Sequence, residues 1–328
     1  MSHTIPCIVA RPSNPAGSVD ERGRSLRGIE TILAFTDFTP HAAAATRRAA
    51  QLADQHRASL RLVHVIEPPL LAGGQGWIDS PDARSRVASA EAELATHARS
   101  LNSHGKTVGA QVLVGPVVEE ILGLADHANL LVLGARGASA VKSALLGSTA
   151  TRLLTRCTRP MLVVKRDEPN PYGRILVPID LRDDATTTLH ATEALAPCAE
   201  VHVLHAYQVE HEGGLRRAGV DRETLQRNRR SARARMQARL HAVLARAEQG
   251  THRYLPHLRR EHPVRLILTT ETRFRADLIV MSKRSRSKIE DALLGSTTKR
   301  VLLDSRADVL VVPLLRARSA TGARGARA

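Results

Sequence analysis

Short, mostly apolar runs alternate along the chain with longer stretches whose apolar residues recur at helical spacing. Ile32–Phe35, Leu60–Ile66, Gln111–Val114, Leu130–Leu133 and Met161–Val164 are brief and rich in Leu and Val. Runs of this kind, apolar on both faces, predict parallel strands covered on both sides by helices. Between them, Ala43–Gln55, Asp82–Ser103, Val117–His127 and Ser148–Cys157 predict helices. Strict alternation of the two predicts a doubly wound α/β fold. The succession then runs a second time, from Ile175 to Val312. Its long helix, Glu223–Ala247, is so rich in arginine that it reads as a solvated face.

The second run is a copy of the first. GARGASAVKSALLGST begins at Gly134, and SKRSRSKIEDALLGST begins at Ser282. Without gaps they share Arg136 with Arg284, Ser139 with Ser287, and the whole of ALLGST. Upstream, TILAFTDFTP from Thr31 parallels RILVPIDLRDD from Arg174, and SLRLVHVIE from Ser59 parallels EVHVLHAYQ from Glu200. A repeat this long makes each copy one folding unit. Two tandem domains are expected, 29–166 and 173–314, each with a five-stranded parallel sheet. The DEPNPYG stretch, with its Pro, Asn and Gly, places a linker at 167–172. A Ser-, Pro- and Arg-rich extension, 1–28, and a basic tail, 315–328, are expected to be flexible. The halves are expected to pack as two separate domains would in a dimer.

Composition narrows the function. The 48 Lys and Arg against 32 Asp and Glu give a net charge of +16, a field that favours polyanions. Aromatics are only 2%, which weakens a single-strand nucleic-acid reading, since such proteins stack bases on aromatic rings. Nucleic acid is therefore not the expected partner. No run of 18 apolar residues suggests a membrane span. Cys7, Cys157 and Cys198 form no C-x-x-C pair and no even-numbered framework, so no disulfide is expected and a reducing cytoplasm is the simplest home. There is no G-x4-G-K-[ST] loop, no G-x-G-x-x-G after the first strand and no G-x-S-x-G elbow. His252, His257 and His262 are spaced by five, which suits neither a helix face nor a strand face, and they read as solvated. His64, His202 and His205 read as packing or strand-end residues, and no metal site is expected.

In open α/β sheets ligands bind beyond the carboxyl ends of the strands. Asp37 follows the first strand, where it could accept hydrogen bonds from a ribose or base. Gly134 and Gly137 follow the fourth, and glycine there would permit a positive φ and close approach to a ligand. Gly147, Ser148 and Thr149 open the next helix. A helix start offers unpaired N–H groups and a positive dipole end, so G-x2-G-x9-G-S/T makes an anion cradle without a lysine.

That motif resembles the one carried by the universal stress protein family, and the chain is similar to a tandem member over about 29–166 and 173–314. The resemblance implies a Rossmann-like fold of the adenine nucleotide alpha hydrolase type. It implies ATP, with or without Mg2+, as cofactor. Asp37 would contact the adenosine and the Val65 backbone the adenine. Leu133, Gly134, Arg136 and Gly137 would line the ribose and triphosphate, and Gly147, Ser148, Thr149 and Ala150 would hold phosphates. The second half departs from the pattern, with Ser282 and Ser285 at the two glycine positions. A left-handed serine costs ~1 kcal/mol or more. Against this, Lys283, Arg284 and Arg286 add positive charge, and Asp180, Gly295, Ser296 and Thr297 are retained. These define a second, degenerate site. The function implied is a stress-responsive ATP sensor or regulator, with protein partners unspecified and a homodimer open. A non-nucleotide interaction protein and a slow ATPase or phosphotransferase are the alternatives.

Overall fold

The structure, a computed structural model, describes residues 28–69, 77, 80–102, 107–135, 146–168, 170–181, 185–209, 212–247, 253–284 and 294–314. The two tails expected to be flexible lie outside this range, apart from Gly28.

The first half runs β1 (Thr31–Phe35), α1 (Pro40–His56), β2 (Ser59–Ile66), α2 (Pro81–Ser100), β3 (Gly109–Val114), α3 (Val117–Ala125), β4 (Leu130–Gly134), α4 (Ser148–Arg156) and β5 (Met161–Val164). The second runs β6 (Arg174–Pro178), α5 (Ala185–Leu195), β7 (Glu200–Ala206), α6 (Glu212–Arg217), α7 (Arg222–Ala247), β8 (Tyr254–Arg259), α8 (Pro263–Phe274), β9 (Leu278–Arg284), α9 (Ser296–Asp304) and β10 (Asp308–Leu314). The duplication extends to single hydrogen bonds. Asn129 Oδ1, just before β4, accepts from Glu30 and Thr31 N–H at 3.0 and 2.9 Å. Asp277, just before β9, accepts from Gly173 and Arg174 N–H at 2.9 and 3.1 Å.

Within each half the five strands are parallel, in the order β3-β2-β1-β4-β5 and its copy β8-β7-β6-β9-β10. The halves do not pack as two sheets. β5 and β10 pair antiparallel, Leu162 opposite Leu310, and fuse them into one ten-stranded sheet. The two strands are apolar and buried, so leaving either as an edge would expose both a greasy surface and unpaired backbone groups. The order reverses direction between β1 and β4, and again between β6 and β9, which sets a switch point in each half.

One face of the sheet carries a core continuous through both halves, from Leu62, Leu94 and Leu130 to Ile175, Leu189 and Leu240. The other face carries two clusters, one around Leu131, Leu154 and Val309, the other around Leu176, Ile267 and Val301. Thus α1, α2, α5 and α7 cover one side, and α3, α4, α8 and α9 the other. Helix α1 starts at Thr39, whose hydroxyl accepts from Ala42 N–H, with Pro40 preset for the first turn, and it ends on Arg57 in the left-handed region. Its buried alanines 42, 44, 45 and 49 let it lie close on the sheet.

Cys157 is a buried free thiol, and burial pushes its pKa up. Cys7 lies outside the described residues. Among the described residues no helix is long and apolar enough to cross a membrane.

Candidate functional site

At the carboxyl end of the second strand each half places a histidine against the segment leaving the first strand. His64 Nδ1 lies 2.8 Å from the Thr36 carbonyl, and His205 Nδ1 lies 2.9 Å from the Ile179 carbonyl. A carbonyl only accepts, so Nδ1 carries the proton in both rings. The pair fulfils the strand-end reading of His64 and His205. The sequence signal was their matching place in the two copies.

In the first half, Asp37 is exposed and its Oδ1 accepts from the Thr39 hydroxyl at 2.6 Å and from Thr39 N–H at 3.2 Å. The carboxylate thus braces the residue that caps α1. Next to it, Phe38 holds φ 62°, a left-handed conformation that costs about 1–3 kcal/mol in a non-glycine residue. Its ring lies 4.5 Å from that of His64. Val65 pairs with Leu113 near the end of β2 and is half-buried. Leu133 is buried in β4 opposite Val163, and Gly134 follows opposite Val164.

Gly134 does not adopt a positive φ, which corrects the reason anticipated for it. Its requirement is steric. A Cβ there would stand 2.8 Å from the His41 carbonyl oxygen and 3.0 Å from its carbon, in the backbone of α1. Arg136 and Gly137 lie outside the described residues. The ends of that segment meet, because Gly147 N–H donates to the Ala135 carbonyl at 3.1 Å. Gly147 therefore brings the start of α4 beside the end of β4. Gly147, not Ser148, holds the cap position, and no side chain caps the helix. Ser148 is exposed in the first turn, Thr149 half-buried and Ala150 buried.

The second half contains a cleft of about 1120 Å3 at the corresponding edge. Asp180, Ser282, Gly295, Ser296 and Thr297 all line it. Ser282 sits inside β9 opposite Val312, in extended backbone, so the left-handed penalty expected of it does not arise. Arg284 closes β9. Ser285 and Arg286 lie outside the described residues. The floor is apolar, with Ile179, Leu204, Ile267 and Met281, and His205 stands among them. Gly295 repeats the geometry of Gly147: φ −55° and ψ 146° against φ −58° and ψ 150°, again without a side-chain cap.

Two expectations change here. Lys283 was counted toward the anion site, but its Nζ donates to the carbonyls of Leu154, Thr155 and Cys157 in the first half, at 2.6, 2.6 and 3.0 Å. Helix α7 is the solvated face that its arginines suggested, and its exposed Asn228, Ser231, Arg235 and Arg239 form one rim of the cleft. No pattern in a helix so uniformly basic marks which of its exposed arginines border the cleft. His257 was read as solvated, but its Nε2 lies 2.8 Å from His202 Nδ1, and His202 Nε2 lies 2.6 Å from Glu200. Burial, with help from His202, Arg259 and Arg273, holds the His257 pKa below its usual value. His262 is exposed at the cap of α8, and His252 lies outside the described residues. Among the described residues no group of three or more His, Cys, Asp or Glu is placed to hold a metal ion.

The sequence model of the universal stress protein family matches residues 28–165 and 171–313. A universal stress protein of Mycolicibacterium smegmatis is 26% identical over 298 residues, which cover 86% of this chain and 96% of the relative. One from Thermus aquaticus is 32% identical over 139 residues, 42% of this chain and 99% of its own. Among solved structures, a universal stress protein from Archaeoglobus fulgidus has the same fold. Its TM-score is 0.61 at 20% identity, over 86% of this chain and 98% of that one.

Proposed function

The chain belongs to the universal stress protein family, and on that premise we propose that it is an adenine-nucleotide-binding regulator whose ligand sits at the carboxyl edge of the sheet. The observation that carries the reading is the second-half cleft: an apolar floor, an acidic residue after the first strand and an uncapped helix start open onto one space of about 1120 Å3. These suit an adenine ring, a ribose hydroxyl and a phosphate respectively. In the first half the same positions carry the fuller motif, and ATP is the nucleotide we assign to it.

Asp37 accepts from the adenosine and the Val65 backbone meets the adenine. Leu133, Gly134, Arg136 and Gly137 line the ribose and triphosphate. Gly147, Ser148, Thr149 and Ala150 donate to phosphates. In the second half, Asp180, Ser282, Arg284, Ser285, Gly295, Ser296 and Thr297 take the equivalent places. Binding at the edge between Gly134 and Gly147 changes a surface that a protein partner reads. A cytoplasmic location and domains at 29–166 and 173–314 belong to the same proposal.

The test is the nucleotide content of freshly purified protein, by acid extraction and chromatography, followed by calorimetry of ATP on the stripped sample. One or two ATP per chain supports the reading. No retained nucleotide and no binding at millimolar ATP overturns it. Steady metal-dependent hydrolysis would replace the regulator with a slow ATPase.

A further inference from the structure

The second-half cleft has two walls, and each supplies positive charge by a different means. On one wall stand the first turns of α8 and α9, through Pro263, Gly295, Ser296 and Thr297. Neither helix has a side-chain cap bond; the first-turn N–H groups of α9 face the cleft, while α8, whose first residue Pro263 has no N–H, brings only its positive dipole end. On the other wall stands α7. Its Asn228, Ser231, Arg235 and Arg239 line the same space. Their spacing of three and four residues makes one stripe of that helix. The two walls belong to opposite faces of the sheet. Leu240 and Leu244 of α7 pack into the core shared with α5, whereas Leu266, Ile267 and Val301 of α8 and α9 pack into the other.

Neither arginine of the stripe has an acidic partner among the described residues. Arg235 donates to the Ser231 hydroxyl at 2.8 Å, a neutral group. By contrast Arg229, two turns earlier, is held by Glu212. Among the described residues the acidic ones lining the cleft are Asp180 and Glu261, and Glu261 is paired with Arg265 at 3.0 Å. A 5′-nucleotide bears its charge at one end. With its phosphates at the α9 helix start, it leaves the α7 guanidiniums without a counter-charge. The volume, about 1120 Å3, lies above the ~300–1,000 Å3 usual for small-molecule sites.

We propose that the second-half cleft takes a nucleotide with anionic groups at two ends, one held by the first turn of α9, the other by Arg235 and Arg239. This rests on the nucleotide reading of the carboxyl edge and specifies the ligand of the second half. Two sources share the chemistry: a nucleoside with a second phosphate on its ribose, and two nucleosides joined through a phosphate chain. Guanidinium–phosphate hydrogen bonds are charge-assisted and geometrically selective, so Arg235 and Arg239 discriminate on the second charge.

The experiment is calorimetry on the full chain carrying Ser148→Asp, which closes the first half. AMP, adenosine 3′,5′-bisphosphate, ATP and diadenosine tetraphosphate are compared at one ionic strength. We expect the bisphosphate to exceed AMP, or the dinucleotide to exceed ATP, by about tenfold or more. Whichever pair shows the preference identifies the source. In Arg235→Ala/Arg239→Ala the ratio falls to near one, and Arg235→Lys/Arg239→Lys restores only part of it. Binding of AMP or ATP with no preference overturns this inference alone. Binding of none of the four, together with no ATP on the unmutated chain, overturns the nucleotide reading and this one with it.

Discussion

Lys283, near the end of β9 in the second half, donates its ammonium to the carbonyl of Leu154 at 2.6 Å, in α4 of the first half. The Thr155 and Cys157 carbonyls accept from the same nitrogen, so it closes the carboxyl end of the helix whose other end carries Ser148. The contact has a reciprocal. Lys165, just after β5, donates to the carbonyl and hydroxyl of Ser305, both at 2.8 Å, at the end of α9. Each half thus supplies a cation to the negative end of a helix of the other half, α4 or α9.

Lys283 ties stability to alkaline pH. Burial opposes its charged form and outweighs the favourable influence of Cys157, so its pKa falls from 10.5 to about 8. Between those values the unfolded chain holds a proton that the folded chain has lost, so unfolding takes one up and rising pH stabilises the fold. The gain is at most roughly 3 kcal/mol. Urea titrations from pH 7.5 to 10.5 should show this slope in the native chain and lose it in Lys283→Met. Equal slopes in the two would refute the assignment.

Asp308 and Arg48 form the buried electrostatic joint of the seam. Asp308 is fully buried in β10, accepting from Tyr172 at 2.6 Å and from Lys165 and Arg166 N–H at 2.8 and 3.0 Å. Burial still raises its pKa. Arg48 of α1, also buried, faces it at 3.5 Å and covers the Tyr172 ring at 4.4 Å. Its guanidinium also donates to the carbonyls of Glu168 and Asn170, which fixes the linker. Arg48→Met leaves a buried carboxylate uncompensated and should cost about 3–5 kcal/mol. Adding Asp308→Asn should recover part of that loss in a double-mutant cycle by chemical denaturation. Simple additivity would show that the two are not coupled.

Two glycines at matching edges should respond differently. Gly134→Ala drives a Cβ to 2.8 Å from the backbone of His41, which cannot step aside without moving α1. We expect a loss of about 1–3 kcal/mol. At Gly295 nothing lies within 4 Å of the added atom and φ is −55°, so Gly295→Ala should stay within about 0.5 kcal/mol. Thermal melts of the two variants decide the matter.

Ser148→Asp separates fold from ligand. Ser148 is exposed in the first turn of α4, where a carboxylate complements the helix dipole and should leave the melting temperature unchanged or higher. The same charge repels a phosphate. ATP affinity of the first half should fall by about tenfold or more in calorimetry. An unchanged affinity would remove Ser148 from the site.

All five first-half strands were legible to within two residues, because runs such as Leu130–Leu133 are apolar on both faces and only a covered parallel sheet has that pattern. The second half followed from the repeat. The helix starts at Ser148 and Ser296 were legible through glycine followed by Ser and Thr. The reason for Gly134 was not, since it lies in the distance to a helix over ninety residues earlier in the chain. Arg235 and Arg239 were hidden among like residues. A stripe becomes a wall only when the helix is docked, and the rotation that docks it is set by Leu240 and Leu244.

Local pattern thus suffices for whatever a segment does on its own account: becoming a strand, starting a helix, repeating a unit. It also sufficed for the duplication, because both copies face the same packing problem. The joining of β5 to β10, the crossing of Lys165 and Lys283, and the burial of Asp308 under Arg48 depend on residues far apart in the chain. No periodicity encodes such a meeting. It arises when two apolar edges, each costly to leave open, close on one another and carry their polar neighbours into the interior.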